Sequence, residues 1–177
     1  MAVQGGQTGP GGANGVESKT LSPGDISEKV PRTYVVTWWS AHSVQQASMR
    51  RAVLSNLRPA SEQDNFKPID TPFYQVMIYG PDMSVFQKRG NKSFIDKAYL
   101  QPKGTKSKIM PAKVEFETAP DGRVTASIFS FPKKDEHGED TIAKNEKHVD
   151  FYCNIADVWL KTFFEPDKMV AASGPDW

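Results

Sequence analysis

The chain lacks most of the residues and motifs that identify a particular chemistry. Its 177 residues include one cysteine, Cys153, which excludes an intramolecular disulfide framework and leaves too few thiolates for a structural zinc site. It has no run of about eighteen apolar residues, the length that a membrane-spanning helix needs. The formal net charge is +1, whereas dedicated nucleic-acid-binding proteins usually carry a strong basic excess. The composition therefore favours an ordinary globular domain.

Motifs for catalysis and ligand binding are missing as well. The sequence has no Walker loop, no G-x-G-x-x-G and no H-E-x-x-H. Residues 135–140 (DEHGED) offer carboxylates and an imidazole, but they lack the spacing of a calcium loop and indicate a solvated turn. His42 has no nucleophile elbow beside it, and Cys153 falls on the apolar face of a predicted strand. We therefore predict no catalytic, cofactor-binding or metal site.

The first 31 residues differ in composition from the rest of the chain. They contain paired glycines and almost no large apolar side chains, so burial cannot offset the entropy lost on ordering them. We predict a disordered Gly-rich N-terminal arm over residues 1–31 and a single α+β domain over residues 32–177. The domain has 177 − 31 = 146 residues, enough for a core that is stable without cross-links.

The sequence leaves the cellular location unknown. The first residues do not resemble a signal peptide, which has a basic start and a contiguous apolar region. A cytoplasmic location is expected if the chain is full length. A location in the cell envelope is expected if an export signal was removed before Met1, because a Gly-rich stretch before a compact domain resembles a tether.

The clearest local pattern is a β-hairpin over residues 108–131. Apolar side chains alternate with charged ones along the first strand, which places Met110, Ala112, Val114 and Phe116 on the predicted inner face. Pro120-Asp121-Gly122 is a turn sequence, because proline presets φ and glycine tolerates a positive φ. We predict that this hairpin is the centre of the fold.

The rest of the chain gives weaker patterns of period two and period 3.6. They predict strands over residues 33–39, 73–79 and 148–155, a long helix over residues 43–57, a polar linker over residues 61–67, and short helical pieces over residues 83–88, 93–100 and 168–172. Residues 156–164 fit a helix or a strand, and the β-rich composition favours a strand. The predicted fold class is α+β, with a mainly antiparallel sheet of five or six strands and with one longer helix and two short helices packed on a face.

The long helix carries its own start pattern. Ser43 and Gln46 have the spacing of a capping box, in which the hydroxyl accepts a backbone N–H and the Gln side chain reaches back. Met49, Val53 and Leu57 then recur with helical spacing and are expected to face the core.

Positive charge is concentrated in residues 88–113, which contain eight basic residues and one acid, Asp96. From residue 114 to residue 177, acids outnumber bases by thirteen to seven. A local field of one sign accelerates encounter with an oppositely charged surface. The predicted partner-binding residues are Lys88, Arg89, Lys92, Lys103, Lys106 and Lys108.

The function predicted from these features is a non-catalytic binding or scaffold subunit of a larger protein assembly, tethered or peripheral to a membrane in one version. The expected partner is another protein or complex, and an anionic membrane surface is an alternative. Single-stranded nucleic acid, bound through residues 88–113 and their interleaved aromatics, is the least favoured partner. The main rival is an enzyme or small-ligand carrier whose pocket contains Tyr34, Trp38, Trp39 and His42.

Overall fold

The computed structural model describes residues 33–88, 90–155, 158–171 and 174–177. Its elements in chain order are β1 (Val35–Trp38), α1 (His42–Leu54), α2 (Ala60–Asn65), β2 (Phe73–Tyr79), α3 (Ser84–Gln87), β3 (Ala98–Pro102), β4 (Lys113–Thr118), β5 (Val124–Pro132), β6 (Val149–Ile155), β7 (Val158–Phe164), β8 (Val170–Ala171) and β9 (Gly174–Pro175). The predicted antiparallel α+β class is confirmed. The predicted arm over residues 1–31 lies outside the described residues.

The strands form two main sheets where the sequence predicted one. The first sheet has the order β1-β2-β5-β4, and the second has the order β3-β6-β7. Every pair of neighbours in both sheets is antiparallel. A separate two-stranded ladder joins β8 to β9.

The core lies between the inner faces of the two main sheets. Phe129 of β5 meets Phe151 of β6 with ring centroids 6.0 Å apart, and Trp38 of β1 meets Phe164 of β7 at 4.9 Å. The side chains of Phe129 and Phe151 are fully buried. Alternation along each strand gives this arrangement, because successive side chains point to opposite faces of a sheet.

The predicted hairpin is present as β4, β5 and the turn between them. Gly122 has a φ of 80°, and Asp121 accepts the backbone N–H of Arg123 at 3.1 Å, as the turn sequence predicts. The first strand begins at Lys113, because Ile109 instead bridges to Leu100 of β3. Val114 and Phe116 face the core as predicted. Met110 and Ala112 are exposed, so their predicted inward position is wrong.

Helix α1 begins at His42, with Ala41 as N-cap and no side-chain cap from Ser43. Its first backbone N–H groups are accepted by Asp176, whose carboxylate lies 2.6 Å from the His42 nitrogen and 3.0 Å from the Ser43 nitrogen. The predicted capping box is therefore wrong. A carboxylate near the end of the chain replaces it, since an anion near a helix N-terminus satisfies the unpaired donors and complements the dipole.

Helix α1 buries fewer of its side chains than its sequence pattern predicts. Its one buried side chain is Gln45, which bonds the backbone of Ile69 in both directions, at 2.8 Å and 3.2 Å. Leu57 lies beyond the helix and is 78% exposed, so its predicted core position is wrong. The predicted linker after it contains α2.

Three other predictions change in the tertiary structure. The helical piece predicted over residues 93–100 is replaced by the end of a 3₁₀ turn at Asn91–Phe94 and by the start of strand β3 at Ala98. The predicted helical piece over residues 168–172 is replaced by a 3₁₀ turn at Pro166–Lys168 and by β8. The strand favoured over residues 156–164 is confirmed from residue 158 onwards, while residues 156 and 157 lie outside the described part of the chain.

Among the described strands, β1 pairs with β2 alone, so the strand predicted over residues 33–39 lies at an edge of its sheet. Its Val35 is 41% exposed. The predicted central position of the strand at residues 73–79 is confirmed, because β2 lies between β1 and β5. The long loop before β6 is anchored by Ile142, which is fully buried.

Candidate functional site

The outer face of the second sheet is the most distinctive surface in the described part of the chain. The inner face of this sheet carries Leu100, Phe151 and Cys153, all fully buried. The alternate residues therefore point outward. We call the outward set the aromatic–lysine face, and it consists of Tyr99, Lys108, Tyr152, Trp159, Lys161 and Phe163.

Three members of the aromatic–lysine face form a row across the three strands, and Lys108 of the loop after β3 lies at one end of the row. Tyr99, Tyr152 and Lys161 are direct cross-strand neighbours in the register. The two tyrosine rings stack at 4.7 Å with an interplanar angle of 24°. The Lys108 ammonium lies 4.2 Å from the Tyr99 centroid, and the Lys161 ammonium lies 5.1 Å from the Tyr152 centroid. Such cation–π contacts hold both lysines against the sheet.

The two most exposed rings of the face are on β7. Trp159 is 67% exposed and Phe163 is 53% exposed, and Lys161 stands between them on the same side of the strand. Phe163 stacks on His148 at 4.7 Å, and the His148 Nε2 lies 3.2 Å from a carboxylate oxygen of Asp150. The face thus combines exposed aromatic rings, which are enriched in protein–protein interfaces, with polar groups of the kind found at the rims of such interfaces.

The electrostatic character of this face is cationic. Hydrogen bonding and charge interaction with Tyr152 raise the pKa of Lys161, and the charge of Asp150 adds to the rise. The face also holds an acid, Asp150, whose carboxylate lies 3.2 Å from the His148 ring and also attracts the Lys161 ammonium. With two lysines, Lys161 and Lys108, against this acid, an acidic partner would meet a net positive charge.

The structure places part of the predicted cationic set beside this face. Lys108 belongs to the face, and the backbone N–H of Lys103 donates to the carbonyl of His148 in the approach to β6, so this loop borders the second sheet. Lys106 is exposed in the same loop. Lys88 follows α3 and Lys92 lies in the 3₁₀ turn, both exposed, while Arg89 lies outside the described residues. Their role in partner binding stays a prediction.

Strand β7 lies at the edge of its sheet among the strands that the structure describes, and the presence of Lys161 there has two physical explanations. A lysine in the middle of an edge strand is a common means of preventing sheet-to-sheet aggregation. That role does not require exposed rings on both sides of the lysine, and exposed Trp and Phe would themselves promote association. A lysine framed by Trp159 and Phe163 is better explained as part of a recognition surface.

The rival pocket is not assembled as predicted. Trp38 is buried in the core, Tyr34 meets Phe86 edge-on at 6.3 Å, and His42 pairs with Asp70 at 2.8 Å. Trp39 lines a cleft of about 730 Å³ between α1, the segment before β2 and the outer side of the first sheet. The four residues are thus divided among the core, the helix start and the cleft.

The remaining sequence candidates have structural roles. The Asp135 carboxylate accepts the backbone N–H groups of His137 and Glu139, both at 2.9 Å, so it shapes the acidic loop. Burial raises the pKa of the Cys153 thiol, which makes the thiolate scarce. Among the residues that the structure describes, no group of three or more His, Cys, Asp or Glu side chains could hold a metal ion. None of the described helices is long and apolar enough to cross a membrane.

Sequence reasoning missed the aromatic–lysine face for a physical reason. Both faces of β7 are largely apolar in sequence, with Leu160 and Phe164 on one and Trp159 and Phe163 on the other. Such a pattern predicts a covered strand and cannot tell which face stays open. The one available signal was Lys161 in the middle of an aromatic strand.

Comparisons of the chain with family models, with curated proteins and with solved structures find no match.

Proposed function

We propose that this chain is a non-catalytic binding subunit of a larger protein assembly and that it engages its partner through the aromatic–lysine face. The observation that carries the proposal is the exposure of Trp159 and Phe163 on either side of Lys161. Aromatic side chains are the residues on which binding energy concentrates, and their exposure in an isolated chain leaves apolar surface that a partner can cover.

A protein partner fits this face better than a nucleic acid does. A single strand binds by stacking its bases on free ring faces. Here Tyr99 and Tyr152 stack on each other and each also carries a lysine, and Phe163 stacks on His148. Most of the ring faces are thus engaged within the sheet. The net charge of +1 is also low for a nucleic-acid-binding protein.

The proposal is tested by site-specific crosslinking in the native cell. A photoreactive benzoylphenylalanine replaces Phe163 in the full chain, and a matched control carries it at position 54, where Leu54 is 75% exposed away from this face. We expect crosslinks to a discrete protein from position 163 and none to that protein from position 54. Equal capture from both positions would contradict the proposal.

The captured partner then permits an affinity measurement. Trp159→Ala should weaken binding by about 30-fold or more, since hot-spot aromatics cost at least about 2 kcal/mol on truncation. The control variant Leu54→Ala with Leu57→Ala removes comparable exposed apolar surface elsewhere and should leave the affinity unchanged. If the chain bound anionic vesicles and no protein, and if Trp159→Ala abolished that binding, the partner would be a membrane surface.

A second candidate is small-ligand binding in the cleft beside α1. Its volume of about 730 Å³ is that of ordinary ligand pockets, and it is lined by apolar Trp39, Met49 and Phe66 together with polar Gln75 and Glu117. Quenching or enhancement of Trp39 fluorescence on addition of ligands, abolished by Trp39→Phe, tests this candidate. A ligand that stabilises the protein without any change in Trp39 emission would contradict it.

A further inference from the structure

The direction of the backbone groups on β7 follows from two backbone hydrogen bonds between the neighbouring strands β3 and β6 and their flanking residues. Asn154 donates to the Lys97 carbonyl, and Lys103 donates to the His148 carbonyl. In an antiparallel ladder the hydrogen-bonded pairs alternate. The even-numbered residues of β6 therefore direct their N–H and C=O groups towards β3, and the odd-numbered ones direct theirs towards β7.

The pairing of β6 with β7 determines the backbone directions on β7, at the edge of the sheet. Phe151 pairs with Thr162 and Cys153 pairs with Leu160, so the even-numbered residues of β7 use their backbone groups to bind β6. The backbone N–H and C=O groups of residues 159, 161 and 163 then point away from the sheet. In the part of the chain that the structure describes, β7 has no strand on this side.

The same three residues thus present two kinds of recognition group. Their backbone groups form an open ladder at the edge, and their side chains stand on the aromatic–lysine face. A strand added to this edge would place its alternate side chains directly opposite Trp159, Lys161 and Phe163, about 4.5 to 5.5 Å away at Cβ. Ladder hydrogen bonds and side-chain pairs would then act together.

We propose that β7 binds an extended acidic peptide segment of the partner as an additional antiparallel strand, with apolar side chains opposite Trp159 and Phe163 and a carboxylate opposite Lys161. The inference rests on the proposed function and specifies how the aromatic–lysine face binds the partner. Main-chain bonds supply affinity in such strand addition, and alternate side chains supply specificity.

Charge selects this occupant over a second copy of the chain. Two β7 strands paired antiparallel about Lys161 would set two ammonium groups directly opposite each other, and like charges in that position are destabilising. A glutamate or aspartate in the same position meets the charge of Lys161, and the two lysines of the face, Lys161 and Lys108, outweigh the charge of the neighbouring Asp150.

The test uses the full chain and a synthetic peptide, Thr-Ile-Thr-Glu-Thr-Ile-Thr, with blocked ends. Its Ile, Glu and Ile would stand opposite residues 159, 161 and 163, and their N–H groups would face β7. One variant peptide is N-methylated at the Glu, and the matched control is N-methylated at the adjacent Thr, whose N–H would face away. Backbone amide shifts and affinities are followed by NMR titration.

We expect the Glu-methylated peptide to bind at least about tenfold more weakly than the parent and the Thr-methylated one to bind within about twofold of it. The amide shifts should centre on residues 159–163. A peptide with Lys in place of Glu should bind more weakly, and Lys161→Glu should reverse that preference while Lys67→Glu, a change at an exposed lysine elsewhere, should not.

Four results would overturn strand addition. They are equal effects of the two methylations, no shift at residues 159–163 at millimolar peptide, self-association of the chain that the peptide disrupts, and tighter binding of oligo-dT at the same residues. The two proposals fail separately. If Trp159→Ala abolishes capture of the native partner but the methylation site makes no difference, the surface is right and its backbone ladder is not used.

Discussion

Strands β5 and β7 are similar in composition and opposite in exposure. Both are rich in aromatic and β-branched residues, as VTASIFSFP and VWLKTFF. Phe129 and Phe131 of β5 are fully buried, whereas Trp159 and Phe163 of β7 are 67% and 53% exposed. Strand β5 lies between β2 and β4, and β7 has one neighbour among the described strands. The face that a ring occupies, and not composition, decides which aromatics form the core and which remain available to a partner, since even the edge strand β1 buries Trp38 on its inner face.

Truncating one ring on each strand should give the largest difference, measured as the free energy of unfolding. Phe129→Ala should lower the free energy of unfolding by about 3 to 5 kcal/mol, since it removes a fully buried ring, whereas Phe163→Ala should cost under about 1 kcal/mol. Phe116→Ala should lie between them, because its ring is partly buried and contacts Phe86 and Phe94. Denaturant titration measures all three. Similar losses at positions 129 and 163 would show that β7 is covered in solution.

The contrast between buried and exposed groups extends to carboxylates. Asp176→Ala should cost about 1 to 2 kcal/mol, because it removes the acceptor for the first N–H groups of α1. Asp167→Ala, a change of an exposed acid close by in sequence, is the control and should be nearly neutral. Thermal and denaturant unfolding compare the two variants, and equal effects would exclude the capping role.

The cap also predicts a pH dependence. Burial alone would raise the pKa of Asp176, but hydrogen bonds from Ser43 and His42 outweigh it and leave the pKa below its usual value. A folded-state pKa below the unfolded one means that the stabilisation is present above the unfolded pKa of about 3.9 and is lost as the pH falls through the lower folded value. The stability difference between the natural chain and Asp176→Asn should therefore shrink at acid pH. A difference that stayed constant to about pH 2 would contradict this.

The smallest effect concerns the loop beside the second sheet. Reversing the charges of Lys103, Lys106 and Lys108 should slow association with the partner more than it hastens dissociation, and added salt should weaken the effect. Reversal of Arg50, Lys67 and Lys144, which are exposed elsewhere, is the matched control. Stopped-flow or surface-binding kinetics compare the two triple variants. Equal association rates would make the loop a solvated surface with no role in binding.

Local patterns predicted the parts of this fold whose causes are local. The turn at Pro120-Asp121-Gly122 depends on backbone preferences of adjacent residues, and the inner face of β6 follows from alternation through Phe151 and Cys153. The helix cap could not be predicted in this way. Ser43 and Gln46 have the local pattern, but the acceptor used is Asp176, 133 residues away from Ser43.

The candidate site shows the same division. Residues 103–108 were marked as cationic by sequence alone, and the structure added the sheet that this loop borders. Tyr99, Tyr152 and Lys161 come from three separate strands, and only their register makes them neighbours. No spacing in the sequence encodes a cross-strand row, because the connections between the strands vary freely in length.

Residue order was enough to predict an antiparallel α+β domain, its hairpin turn, the periods of its strands and a segment of concentrated positive charge. Tertiary structure decided which strands became edges, which apolar face stayed open and which carboxylate capped α1. Periodicity shows which side chains share a face of a strand, whereas burial depends on which other elements pack against that face. Strand β7 is apolar on both faces, and only the first sheet, which covers one of them, distinguishes core from binding surface.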